Sequence, residues 1–180
     1  LELHTLGVEG GYSQTDVIEF ARALAGWSIG SGLGRRPAGI PGRFYFRPEI
    51  HQPGTVNVLN RSYSDNGMAQ AEAVLSDLAI HESTARHIAT KLARHFVSDE
   101  PPVSLVESLT ESFLKSDGDL KVLHSTLVKS KHAWNPQSEK LKTPEGFVVS
   151  TFRAFKYRPD KIWNVFGALE MMGQTPYQPG

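Results

Sequence analysis

Glu2, His4 and His51 are the residues whose types best suit metal chemistry. One carboxylate and two imidazoles supply the oxygen and nitrogen donors that zinc or non-haem iron takes. A histidine there could also act as a general base. Glu2 and His4 are two apart, and positions two apart on a helix do not share a face. Joint ligation therefore requires His4 to sit where a helix unwinds toward Gly7. The simpler account is a helix-end imidazole bonded to backbone and favoured by the helix dipole. No cofactor is the primary expectation, and a divalent metal is the alternative.

A second set of residues suits ligand binding. Trp27 and Tyr45, with Tyr12, flank a glycine-rich stretch, and exposed aromatics at a loop mouth fit a sugar ring. Spaced helically behind Phe20 and Leu24, Trp27 also reads as a core residue. Arg22, with Arg86, Lys91 and Arg94, could hold a phosphate, sulfate or uronate; salt bridges to Asp99, Glu100 and neighbouring acids are the simpler reading. His81, His87 and His95 surround one helix, with His81 as its N-cap and Lys91 between the other two. That arrangement describes a solvated or anion-facing flank rather than a metal site.

Several chemistries lack their residues. Gly30–Gly42 has no Gly-Lys-Ser/Thr and follows a helix rather than a strand, so it is neither a P-loop nor a dinucleotide fingerprint. No serine lies in Gly-x-Ser-x-Gly. Zero cysteines exclude disulfides, thiolate metal sites and cysteine nucleophiles. Asp117 and Asp119 read as turn and helix-cap residues, not as an acid/base pair.

The elements that must position these groups are mostly helical. Leu1–His4 reads as the last turn of a helix, with Gly7 as a left-handed C-cap. Ser13-Gln14-Thr15-Asp16 is a capping-box-like start to a helix carrying Val17, Phe20, Ala21, Leu24 and Trp27. Residues 30–42 form a Gly/Pro-rich loop. Phe44–Phe46 and Thr55–Leu59 are β-prone runs expected to pair as a hairpin, with His51 at or near its tip. Four helical stripes follow between Met68 and Val128, the second ended by Pro101-Pro102. A further helix opens at Thr143-Pro144-Glu145 and is expected to bury Phe147, Val148, Phe152 and Phe155. The last carries Ile162, Trp163, Phe166 and Leu169 toward Met172.

Nineteen basic and nineteen acidic residues cancel in this 180-residue chain, so no global field favours nucleic acid or an anionic membrane. No apolar run approaches the roughly 20 residues of a membrane-spanning helix. The chain starts inside an element without an initiator Met, and is expected to be a C-terminal fragment of a longer protein.

Several motifs in fixed order resemble a bacterial family known as "domain of unknown function 1800". They are Glu2-Leu3-His4-Thr5-Leu6-Gly7-Val8 with Gly10-Gly11-Tyr12, Phe20–Leu24 with Gly26-Trp27, Phe44–His51, and His81 to Val97. Ser116-Asp117-Gly118-Asp119-Leu120 and Lys140–Glu145 complete the likeness, which covers essentially the whole chain. The resemblance implies a longer, exported, periplasmic protein encoded beside a sulfatase-like partner. It also implies Asp, Lys and Gly at positions after the hairpin histidine where this chain has Gln52, Val56 and Asn60.

The expectation is a mainly α fold: a multi-helix orthogonal bundle with one small β-hairpin excursion. It forms a single α-helical domain over residues 1–180, with loop 30–42 and hairpin 43–60 inserted. The expected function is a helical binding or scaffold domain acting with a partner. The alternative is a metal- or carbohydrate-dependent enzyme with its site near the loop, the hairpin and the N-terminal helix.

Overall fold

The computed structural model describes residues 1–30, 39–134 and 140–176. It divides into two compact units, Leu1–Asn135 and Pro136–Gly180. The first holds α1 (Gln14–Ala23), α2 (Met68–Ala79), α3 (Glu82–Phe96), α4 (Val103–Lys115) and α5 (Leu120–Lys129). It also holds the short strands β1 (Trp27–Ile29), β2 (Phe44–Phe46), β3 (Val56–Val58) and β4 (Arg61–Tyr63). The second unit holds α6 (Pro144–Ala154) and α7 (Ile162–Met171). The fold is therefore mainly α, as the periodicity predicts. Most of the Gly/Pro-rich loop, residues 31–38, lies outside the described residues.

Helix starts follow local chemistry. Ser13 accepts from the Asp16 backbone N–H while Asp16 accepts from the Ser13 N–H, a complete capping box. His81 Nδ1 accepts from the Ser83 N–H, Asp119 from those of Lys121 and Val122, and Thr143 from that of Gly146. Each satisfies donors that a helix start leaves orphaned.

The core has two parts. Ala85, Ala89 and Ala93, four apart on α3 and fully buried, pack with Leu105, Leu109 and Phe113 of α4 and Leu123 and Leu127 of α5. A row of methyl side chains lets the facing helix approach closely. The other cluster joins Leu6, Ala23, Val56, Val58, Tyr63, Ala71, Val74 and Leu78, tying α1 and α2 to the β3–β4 ribbon.

The strands pair differently from the expected hairpin. Phe44–Phe46 pairs antiparallel with Trp27–Ile29, and Val56–Val58 pairs with Arg61–Tyr63. The second ribbon closes through two residues, Leu59 and Asn60, at φ 51° and 61°. Positive φ at both positions is the geometry whose twist suits a two-residue hairpin, and it selects the local partner. Between the β2 and β3 runs, a 3₁₀ turn at Pro48–Ile50 and then Pro53 intervene; His51 follows that turn and is not a hairpin tip.

The predicted helix through Trp27 stops at Ala23. Gly26 takes φ 99°, and a Cβ there would lie 2.8 Å from the Phe46 ring and 2.9 Å from the Arg47 carbonyl. The chain therefore turns at Gly26 and enters β1 with Trp27. At the start, Glu2–Leu6 is one π-helical turn, and Gly7 sits at φ 81°, ψ 174° rather than in the left-handed helical well. That region belongs essentially to glycine, and His87 Nδ1 lies 2.8 Å from where a Cβ would be.

Among the described residues of the second unit the buried hydrophobics are Val148 and Leu169. Phe147 and Phe155, expected inside, are 51% and 80% exposed, and Trp163 of the last helix is 70% exposed. Two helices have too few facing positions to enclose every apolar side chain they carry. Among the described residues no helix is long and apolar enough to cross a membrane.

Candidate functional site

The sequence-predicted ligands do not converge. Glu2 and His4 are exposed on the π-helical turn. Among the described residues no group of three or more His, Asp or Glu is placed to hold a metal ion, so Glu2, His4 and His51 form no ligand set.

His51 is committed elsewhere. Its Nδ1 lies 3.2 Å from the Ala25 carbonyl oxygen and its Nε2 lies 3.1 Å from Asp65 Oδ1. Both partners only accept, so the doubly protonated ring satisfies both contacts. The hydrogen bond to Asp65 raises the His51 pKa above its ordinary 6.5. Asp65 also accepts the N–H groups of Gly54 and Gly67, and with His51 these hold its carboxyl at about 2. In that protonated form both nitrogens donate, and His51 offers no lone pair to a metal or a substrate proton. It is a clamp between the start of β1 and the loop before α2. Sequence reading missed Asp65, although its place two residues before Gly67 is typical of an Asx turn.

Trp27 and Tyr45 lie on opposite faces of their ribbon. Trp27 is the register partner of Phe46, one residue from Tyr45, and successive side chains alternate faces. Trp27 packs edge-to-face on Phe44 at 5.1 Å, while Tyr45 covers Gly39, whose Cβ position is 3.0 Å from it. They cannot grip one sugar ring between them. Arg22 pairs with Glu19 at 2.7 Å. Arg86, Lys91, Arg94 and His95 form an exposed flank, whereas His87 turns inward, its Nε2 3.3 Å from the Leu3 carbonyl oxygen.

The structure instead assembles Arg61, Tyr63 and Asp77. Arg61 and Tyr63, two apart on β4, share a face, with the guanidinium 5.6 Å from the Tyr63 ring centre. Asp77, near the end of α2, receives both: the Tyr63 hydroxyl donates to Oδ2 at 2.7 Å, and Arg61 Nη1 lies 2.7 Å from the same oxygen. Burial, reinforced by the Asp77 carboxylate, pushes the Tyr63 pKa up to about 12, so the phenol keeps its proton.

These three residues form a wall shared by two clefts. One, of about 410 Å³, is bordered by them together with His81 and Glu82 on the polar side. The other, of about 500 Å³, adds Ser62, Ser64, Asn66 and Gln70. Gln70 is buried and fixed by its Nε2, which donates to the Gly54 and Tyr63 carbonyl oxygens. Sequence reading missed this group because β4 is three residues long and shows no alternation. The Arg-Ser-Tyr spacing was the only available signal.

Fold and site together define a mainly α domain with a cleft pair where a β-ribbon meets the end of a helix. Over residues 1–180 the chain matches the family described as "Protein of unknown function (DUF1800)", and it belongs to that family. No curated protein and no solved structure matches it.

Proposed function

We propose that this chain is a helical binding domain whose ligand surface is the cleft pair around Arg61, Tyr63 and Asp77. The carrying observation is the Asp77 carboxylate, which fixes Arg61 and Tyr63 in the wall between the two clefts. The three side chains are held in place as a recognition wall by their mutual contacts. Tyr63 is held protonated, Asp77 Oδ2 already accepts two hydrogen bonds, and His81 spends its Nδ1 lone pair on the Ser83 N–H. The metal-dependent alternative gains no support, because Glu2, His4 and His51 form no ligand group among the described residues.

Export to the periplasm and action beside a sulfatase-like partner are supported by the family resemblance, and they complete the proposal of an exported module that presents or captures a ligand. The test is a fragment screen on the chain by protein-observed NMR. Shifts clustered at Arg61, Tyr63 and Asp77, and weakened by Arg61→Met, are expected. Fragments that shift only residues outside both clefts would sink the proposal.

A further inference from the structure

We infer that the smaller cleft takes a neutral, hydroxyl-rich ligand of the carbohydrate class, an inference that rests on the clefts being the binding surface. Its polar wall mixes donors and acceptors. His81 Nδ1 accepts from the Ser83 N–H at 3.1 Å, which places the ring proton on Nε2 and makes that atom a donor. Arg61 uses only Nη1 on Asp77, leaving the rest of its guanidinium fork as donors among the described residues. On the accepting side, Asp77 Oδ1 and the Glu82 carboxylate have no partner among the described residues.

Charge then decides between ligand classes. One guanidinium against two carboxylates leaves the cleft slightly negative, so a carboxylate, sulfate or phosphate ligand meets repulsion. An ammonium ligand meets Arg61 and the His81 N–H, donors that it cannot satisfy. A hydroxyl both donates and accepts, so several hydroxyls on one ring satisfy both kinds of wall group. Leu59 and the half-exposed Ile80 also line the cleft and offer apolar contact for the C–H face of a sugar ring. A volume of about 410 Å³ lies within the ~300–1,000 Å³ typical of small-molecule sites.

Saturation-transfer NMR on the chain with cellobiose, glucuronate and glucosamine as separate probes tests the inference. Expected is transfer to cellobiose, with at least about tenfold weaker binding in His81→Asn and in Glu82→Gln. Asn is a good helix N-cap, so His81→Asn removes the Nε2 donor while keeping the start of α3. Binding of glucuronate or glucosamine in place of cellobiose overturns the ligand class and leaves the cleft reading standing. Cellobiose binding unchanged in both variants overturns its placement. No binding of any of the three, while the fragment screen still marks the clefts, overturns the carbohydrate inference alone.

Discussion

Asp16, in the first turn of α1, accepts the backbone N–H of Leu59, 43 residues further on, through Oδ1 at 2.7 Å. Glu19, one turn along the same helix face, accepts the Asn57 N–H at 3.1 Å. Alternate N–H groups of a strand point to the same edge, so both face away from β4. The helix thus closes an edge that would otherwise present unpaired donors. Asp16 meanwhile completes the capping box of its own helix through Oδ2.

Asp16→Ala removes both contacts and is expected to cost about 1–3 kcal/mol, more than Ser13→Ala, which loses only the cap at about 1 kcal/mol. Urea denaturation of the two variants checks the difference. Equal losses would mean that the Leu59 contact adds nothing.

Stability should respond to pH on both sides of a mildly acidic window. The His51 pKa is raised, so its contribution is complete below the ordinary 6.5 and fades as pH rises through the folded value. The Asp65 pKa falls from 3.8 to about 2, so its contribution is complete above 3.8 and fades as pH drops toward 2. The clamp therefore works best between those limits. In His51→Gln the decline of melting temperature on the alkaline side should flatten, while an acid decline persists because Asp65 keeps the Gly54 and Gly67 N–H bonds. An unchanged alkaline limb would show that the clamp does not couple to folding.

The turn between β3 and β4 holds Asn60 at φ 61°. Asn60→Val should destabilise by about 1–2 kcal/mol, since a β-branched residue resists that conformation. Asn60→Gly should fold at least as stably as the parent. Chemical denaturation of the pair reads this directly, and a harmless valine would contradict the turn geometry.

Ala89 is fully buried in the seam between α3 and α4. Ala89→Leu adds volume where a methyl group already fills the space, and a loss of about 1–3 kcal/mol is expected. Ala89→Ser, close in size, separates crowding from polarity. A leucine variant as stable as the parent in thermal melts would mean that the seam is loose.

The local chemistry of the chain was enough to place most of its helix starts. Ser13, His81, Asp119 and Thr143 start helices because a side-chain oxygen or nitrogen needs only the next few backbone N–H groups. The helical stripe ended by Pro101-Pro102 was visible for the same reason, whereas Gly7, expected as a left-handed cap, sits at φ 81°, ψ 174°. The three-residue strands were beyond such reading, because β1 and β4 are too short for alternation and their partners are set by the turns around them. Tertiary structure alone set His51 against Asp65, and Arg61 and Tyr63 against Asp77, each pair or cluster joined over 14 residues or more. It also separated Glu2, His4 and His51, and put Trp27 and Tyr45 on opposite faces of one ribbon. Helix starts and stripes are written within a few residues of sequence, whereas a site depends on where the chain returns to itself, and packing fixes that.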